Sequence, residues 1–272
     1  MISRRNILSR IGLGSLATLL VAVAQRSRAQ GAHEGHAMPA ATASAPAGTA
    51  ATGSARPGAS FPAAGYTPVR TLNGWTLPYT LKDGVKEFHL VAEEVEHEFA
   101  PGCVAKCWGY NGSTPGPTLE AVEGDRVRIF VTNRLPEHTT IHWHGLYLPS
   151  GMDGVGGLNQ PQIQPGETWA YEFTLRQHGT CLYHPHADEM TQLAFGMMGF
   201  FIIHPRESQE PPVQRDYALL LHNWALHPGT YRPDPAVMTE FDLWTFNSKV
   251  FPATEPLLAA QGERVRLRVG NL

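Results

Sequence analysis

Cysteine is scarce in this 272-residue sequence, with Cys103, Cys107 and Cys181 its three examples. An odd count excludes a fully paired disulfide framework. Cys103 and Cys107, four apart in a segment that reads as a strand, lie too far apart to bridge each other. Cys181 alone retains a choice of partner, should the compartment be oxidising. Positive charge is short as well. The formal net charge is −3, and removing the five arginines of the first 29 residues takes it to −8, which argues against nucleic acid as a partner. The apolar run near the N-terminus, "IGLGSLATLLVAVA" from Ile11 to Ala24, has 14 residues, too few for a bilayer that needs about 20. No stable membrane span is therefore expected. Helical periodicity is missing from every long stretch, which removes helix bundles from consideration.

What is present begins with an export signal. "SRRNILSR" (Ser3 to Arg10) sets two arginines ahead of that apolar run, and "SRA" ending at Ala29 offers small residues for cleavage. Residues 1–29 read as a twin-arginine signal peptide, which predicts a periplasmic or extracellular protein. This route carries proteins that are already folded, often around an inserted cofactor. Residues 30–65 are rich in Ala, Gly, Ser, Thr and Pro and read as a disordered linker. Its "HEGHAM" (His33, His36, Met38) has soft and imidazole donors for copper, but in a flexible tail it reads as solvated filler.

Beyond Tyr66 short β-rich runs alternate with Gly and Pro turns, as in "DRVRIFVTN", "TWAYEFTL" and "GFFIIHP" separated by "STPGP", "PSGMDG" and "QPGE". Regular short strands predict an all-β fold, an antiparallel sandwich with Greek-key connections. The first domain is placed at residues 66–207. "GDRVRIFVTN" (Gly124 to Asn133) then recurs as "GERVRLRVGN" (Gly262 to Asn271), 138 residues later. Such repetition predicts two copies of one fold. Residues 208–272 are too few for a complete second sandwich, so the chain is expected to be a fragment, with strand edges left unpaired.

The chemistry sits in two short motifs. In "TTIHWHG" the residues His142 and His144 are two apart, so on a strand they share one face while Trp143 packs on the other. Gly145 reads as a point of close backbone or ligand approach. A pair of satisfied structural histidines fits this motif alone equally well, and a cupin-type site is disfavoured because no glutamate follows at the needed spacing. "GTCLYHPH" repeats the pattern, with His184 and His186 flanking Pro185 on what reads as the same face of a second strand. Two such strands in one sandwich bring four imidazoles together, a donor set suited to copper or zinc. Cys181 falls on the opposite face from His184 by parity and reads as a packed core thiol. His89, His97, His138, His178, His204, His222 and His227 lack paired spacing and are expected at the surface or in hydrogen bonds. "FGMMGFFIIHP" reads as an apolar core strand rather than a place where Met197 and Met198 handle cuprous ion.

"HWHG" followed by "GTCLYHPH" resembles the first two copper motifs of the multicopper oxidases, the laccase-like family built from cupredoxin domains. "YNGSTPGPTLEAVEGD" and "NQPQIQPGET" carry the likeness across roughly Phe99 to Pro205. The resemblance implies a cupredoxin-like (plastocyanin-like) sandwich, with one complete domain and the start of a second. It implies copper as cofactor, with His142 on the type 2 copper and His144, His184 and His186 on the type 3 pair. Asp153, in "MDG", matches the acidic residue that in the family helps deliver protons to the cluster; from the residues alone it is a turn aspartate before glycine. Family members complete the trinuclear cluster with four more histidines, in HxxHxH and HCHxxxHxxxM segments that do not occur here. Pro185 stands where a type 1 thiolate would sit, so that site is expected elsewhere in the full-length protein.

By the same resemblance the function is one-electron oxidation of a small-molecule reductant, a phenol or cuprous ion, coupled to reduction of dioxygen to water. A homotrimer is implied when full length, and the fragment alone is expected to be inactive. A copper nitrite reductase-like enzyme, against which Pro185 counts, and a non-catalytic periplasmic copper-binding protein are the alternatives.

Overall fold

The computed structural model describes residues 65–272 apart from 209 and 228. The expected signal peptide and nearly all of the expected linker, including His33, His36 and Met38, lie outside the described residues.

Thirteen strands account for the regular structure, with one short helix. They are β1 (Arg70–Thr71), β2 (Thr80–Lys82), β3 (Val85–Ala100), β4 (Cys103–Tyr110), β5 (Leu119–Val122), β6 (Arg126–Asn133), β7 (His142–His144), β8 (Thr168–Thr174) and β9 (Gly179–His184). Helix α1 (Glu189–Ala194) follows, then β10 (Gly199–His204), β11 (Arg215–Trp224), β12 (Leu243–Phe246) and β13 (Val265–Asn271). The all-β class holds, with one six-residue helix among the described residues.

One sheet runs β2-β3-β6-β8, with β4 also paired to β3; a second runs β5-β10-β9-β7. Alternation explains how they meet. On β6 the side chains of Val127, Ile129 and Val131 are fully buried while their neighbours face outward, so one face of the first sheet is apolar. It packs on Trp143, Tyr183, Phe201 and Ile203 of the second sheet to form the main core. Strand β10 does not alternate, because every residue of "GFFIIH" is buried. Phe201 and Ile203 face the main core, whereas Phe200 and Ile202 pack with Ala218 and Leu220 of β11 in a second one. A strand covered on both faces is almost wholly apolar, and its one polar residue, buried His204, pairs with Glu120. The reading of "FGMMGFFIIHP" as a core strand holds, with Met197 and Met198 buried ahead of it.

The third sheet contains β1, β11, β12 and β13. The expected boundary at 207 and 208 falls in the connection between β10 and β11, while β1, from the first segment, pairs with β11 at Tyr217 and Ala218. Both copies of the sequence repeat are strands laid parallel to a longer one, β6 beside β3 and β13 beside β11. Their burial differs. Val265, Leu267 and Val269, at the repeat positions of Val127, Ile129 and Val131, are exposed.

Candidate metal centre

The two histidine motifs meet edge to edge. Strands β7 and β9 are antiparallel neighbours, with His142 opposite His184, Trp143 opposite Tyr183 and His144 opposite Leu182. Trp143 is fully buried beneath them, its ring edge-on to Tyr171 at 5.2 Å and near Phe173, Tyr183 and Phe201. The tryptophan between the histidines is therefore the anchor that fixes their strand in the core. Gly145 ends the strand with φ +84°, a conformation that favours glycine. The closest atom to a side chain placed there is Cys181 Sγ at 3.8 Å, an ordinary contact. Turning the chain, not close approach, is why glycine stands at this position.

Ligand-capable atoms of His142, His144 and His184 lie within 4.8 Å of one another. Hydrogen bonds orient each ring. His142 Nδ1 donates to the backbone oxygen of Asp153 at 2.8 Å, which leaves its Nε2 lone pair free. His184 Nδ1 donates to Pro185 O at 2.9 Å, so its Nε2 is also an acceptor. That Nε2 lies 3.1 Å from Nδ1 of His144. Two imidazole nitrogens at this separation either share a proton or direct both lone pairs at one cation. His184 is buried, and burial lowers its pKa, keeping the ring neutral as ligation requires.

His186 is placed differently from the expectation. Strand β9 ends at His184, and Pro185, with no N–H to give the ladder, helps end it. His186 lies beyond the strand, so two-residue parity does not govern its direction. Its ring still comes within 5.4 Å of His142, but its nitrogens fall outside the group of three, and Nε2 faces Glu189 at 3.7 Å. The sequence reasoning passed over Glu189, three residues past His186 at the head of α1, and Gln192 in the same helix. The one hint in the sequence is proximity: "HPHADEMTQ" sets a carboxylate and an amide three residues apart just after the histidines, in a run too short to show a helical period.

Asp153 lies beside His142. It follows a 3-10 turn at Ser150–Met152, with its carboxylate Oδ1 3.3 Å from His142 Nδ1 and partly open to solvent. Gly154 makes the placement possible. It has φ +86°, and a side chain there would overlap the Ile141 carbonyl oxygen and lie 3.0 Å from His142 N. Only glycine lets this turn press against β7.

No thiol joins the histidine group. All three cysteines are free; Cys181 is buried in the core with Sγ 3.7 Å from Gly145 O, and burial raises its pKa, keeping it protonated. Among the described residues, His89, His97, His178, His204, His222 and His227 have hydrogen-bonding or ionic partners, such as Thr132 for His89, Ser248 O for His97 and a buried Glu120 for His204. Neutral imidazole nitrogens without thiolate make a donor set that fits copper or zinc.

Residues 92–208 match the multicopper oxidase family. A copper resistance protein A homolog of Pseudomonas syringae pv. tomato is 39% identical over 154 residues, which cover 56% of this chain and 26% of that protein. An L-ascorbate oxidase of Brassica rapa subsp. pekinensis is 37% identical over 155 residues, 54% of this chain and 26% of that protein. The chain thus spans about a quarter of the length of these relatives. Among solved structures, a crystal structure of a multicopper oxidase aligns at 34% identity with a TM-score of 0.61, covering 74% of this chain and 67% of the other. With the cupredoxin-like β architecture and the convergent histidines already described, these similarities establish that the chain belongs to the multicopper oxidase family.

Proposed function

We propose that His142, His144, His184 and His186 are copper ligands of an oxidase that takes electrons one at a time from a small-molecule reductant and reduces dioxygen to water. The observation that carries this reading is the convergence of three imidazole nitrogens within 4.8 Å, each ring oriented by its other contacts or neighbours. Family membership supports copper over zinc. On this reading His142 serves the type 2 copper, and the other three serve the type 3 pair. Bound copper supplies the one-electron redox steps and the affinity for dioxygen.

The protein's own groups do the rest. The Asp153 carbonyl holds His142 in one tautomer, and the Asp153 carboxylate, reachable by water, takes up a proton at Oδ1 and passes it toward the site as a general acid. Trp143 and the aromatic side chains around it keep water out beneath the ligands. The four histidines are half of the set that the reading needs, the remainder coming from a further histidine-bearing segment of the same or a neighbouring subunit. The twin-arginine motif supports export, and among the described residues no helix is long and apolar enough to cross a membrane.

Oxygen uptake tests the reading. The full-length, copper-loaded protein is expected to consume dioxygen with a phenol or cuprous ion, and His144→Ala and His184→Ala to abolish it. Residues 30–272 alone are expected to turn over no phenol. Undiminished uptake by either variant contradicts the assignment.

A further inference from the structure

Helix α1 brings to the site a carboxylate that belongs to neither histidine motif. Glu189 places Oε1 3.6 Å from His184 Nδ1 and Oε2 3.7 Å from His186 Nε2, so one side chain spans both imidazoles of "HPH". For His184 the carboxylate adds to the bond with Pro185 O. Among the described residues Glu189 is the one charged partner of His186.

The helix is held in place from its other end. Gln192 is fully buried, accepts from Thr139 Oγ1 at 2.7 Å, and donates to Glu137 Oε1 at 3.1 Å and His138 O at 2.9 Å. Residues 137–139 lead directly into β7. Glu189 and Gln192, three apart, share a side of the helix. The contact that locks α1 to the approach of one histidine motif therefore also fixes the carboxylate over the other.

We propose that Glu189 is a positioning residue for the copper centre: its carboxylate, in ion-pair range of both the His184 and His186 rings, biases their orientation electrostatically and places a negative charge beside the cation. The proposal rests on the copper reading above. A carboxylate behind a ligating imidazole fixes the tautomer and ring rotation and raises the basicity of the other nitrogen. His186 lies outside the strand ladder that orients His142 and His184, so it depends most on this contact.

Copper(II) titration of the purified chain by calorimetry, with electron paramagnetic resonance of the loaded protein, tests it in Glu189→Ala, Glu189→Gln and Glu189→Asp. Glu189→Ala is expected to weaken copper binding about 10- to 100-fold, the usual effect of removing such a partner, and to change the nitrogen hyperfine pattern. Glu189→Asp, which keeps the charge, should restore part of the affinity, and Glu189→Gln less of it. The unfolding midpoint without copper should not move, because Glu189 is partly exposed. Wild-type affinity and spectrum in Glu189→Ala overturn the proposal; if that variant folds poorly, wild-type affinity in the isosteric Glu189→Gln does so. A wild-type chain that binds no copper overturns the copper reading along with this one, and is told apart because it fails before Glu189 is varied.

Discussion

Replacing Gly154 by alanine probes how a turn with no ligand of its own builds the site. Two effects combine. The residue sits at φ +86°, where an L side chain adds roughly 1–2 kcal/mol of backbone strain. The new methyl also overlaps the Ile141 carbonyl oxygen, so the turn must retreat from β7. A retreat on the order of 1 Å stretches the 2.8 Å bond between His142 Nδ1 and Asp153 O beyond useful length, removing about 1 kcal/mol more. The expected destabilisation is about 2–3 kcal/mol, read as a lowered urea midpoint at unchanged slope. With His142 no longer oriented, copper affinity should fall roughly tenfold or more. Gly151→Ala is the control in the same turn: nothing lies within 4 Å of its added methyl and its φ is not positive, so it should stay within about 0.5 kcal/mol of wild type. Equal stability and copper affinity in Gly154→Ala and Gly151→Ala would refute the reasoning.

Trp143→Ala removes the fully buried ring beneath the ligands and should cost about 3–5 kcal/mol in chemical denaturation, together with loss of copper binding; a milder effect on both means the strand is held by something else. Cys181→Ala should leave copper stoichiometry unchanged with a stability loss of about 1 kcal/mol, since the thiol is a core group; a changed stoichiometry would make it a ligand after all. His97 carries a pH dependence. Burial lowers its pKa to about 4, so between pH 6.5 and 4 the unfolded chain takes up a proton that the folded chain refuses, and stability falls as pH falls through that window. At about 1.4 kcal/mol per tenfold the loss is at most ~3 kcal/mol. Unfolding of His97→Gln followed across the same window should show a flatter profile, and an unaltered slope assigns the dependence to other groups.

The sandwich was legible in the sequence because alternation is a local property: Val127, Ile129 and Val131 mark an apolar face that the second sheet covers, although the same pattern at Val265, Leu267 and Val269 is exposed. The pairing of the motifs was less so. "HWH" and "HPH" each define a face, but whether those strands are neighbours or face each other across the core depends on hydrogen-bond partners far apart in sequence, which the structure resolves as the His142 and His184 register. The parity rule failed at His186 because it assumes a strand, and Pro185 helps end that strand one residue too soon. Glu189 and Gln192 were missed for a related reason. A six-residue helix is too short to show a period, so its polar residues look like loop filler until the fold sets one against the histidines and buries the other against Thr139.

The central claim, that this histidine face is a copper site, is tested most directly by loading the purified chain with copper(II) and reading its coordination by electron paramagnetic resonance, alongside a variant with His142, His144, His184 and His186 all replaced by alanine. Stoichiometric copper with imidazole-nitrogen hyperfine structure in the wild type, absent from the variant, is the expected result. Copper bound equally by both proteins, or by neither, would contradict it.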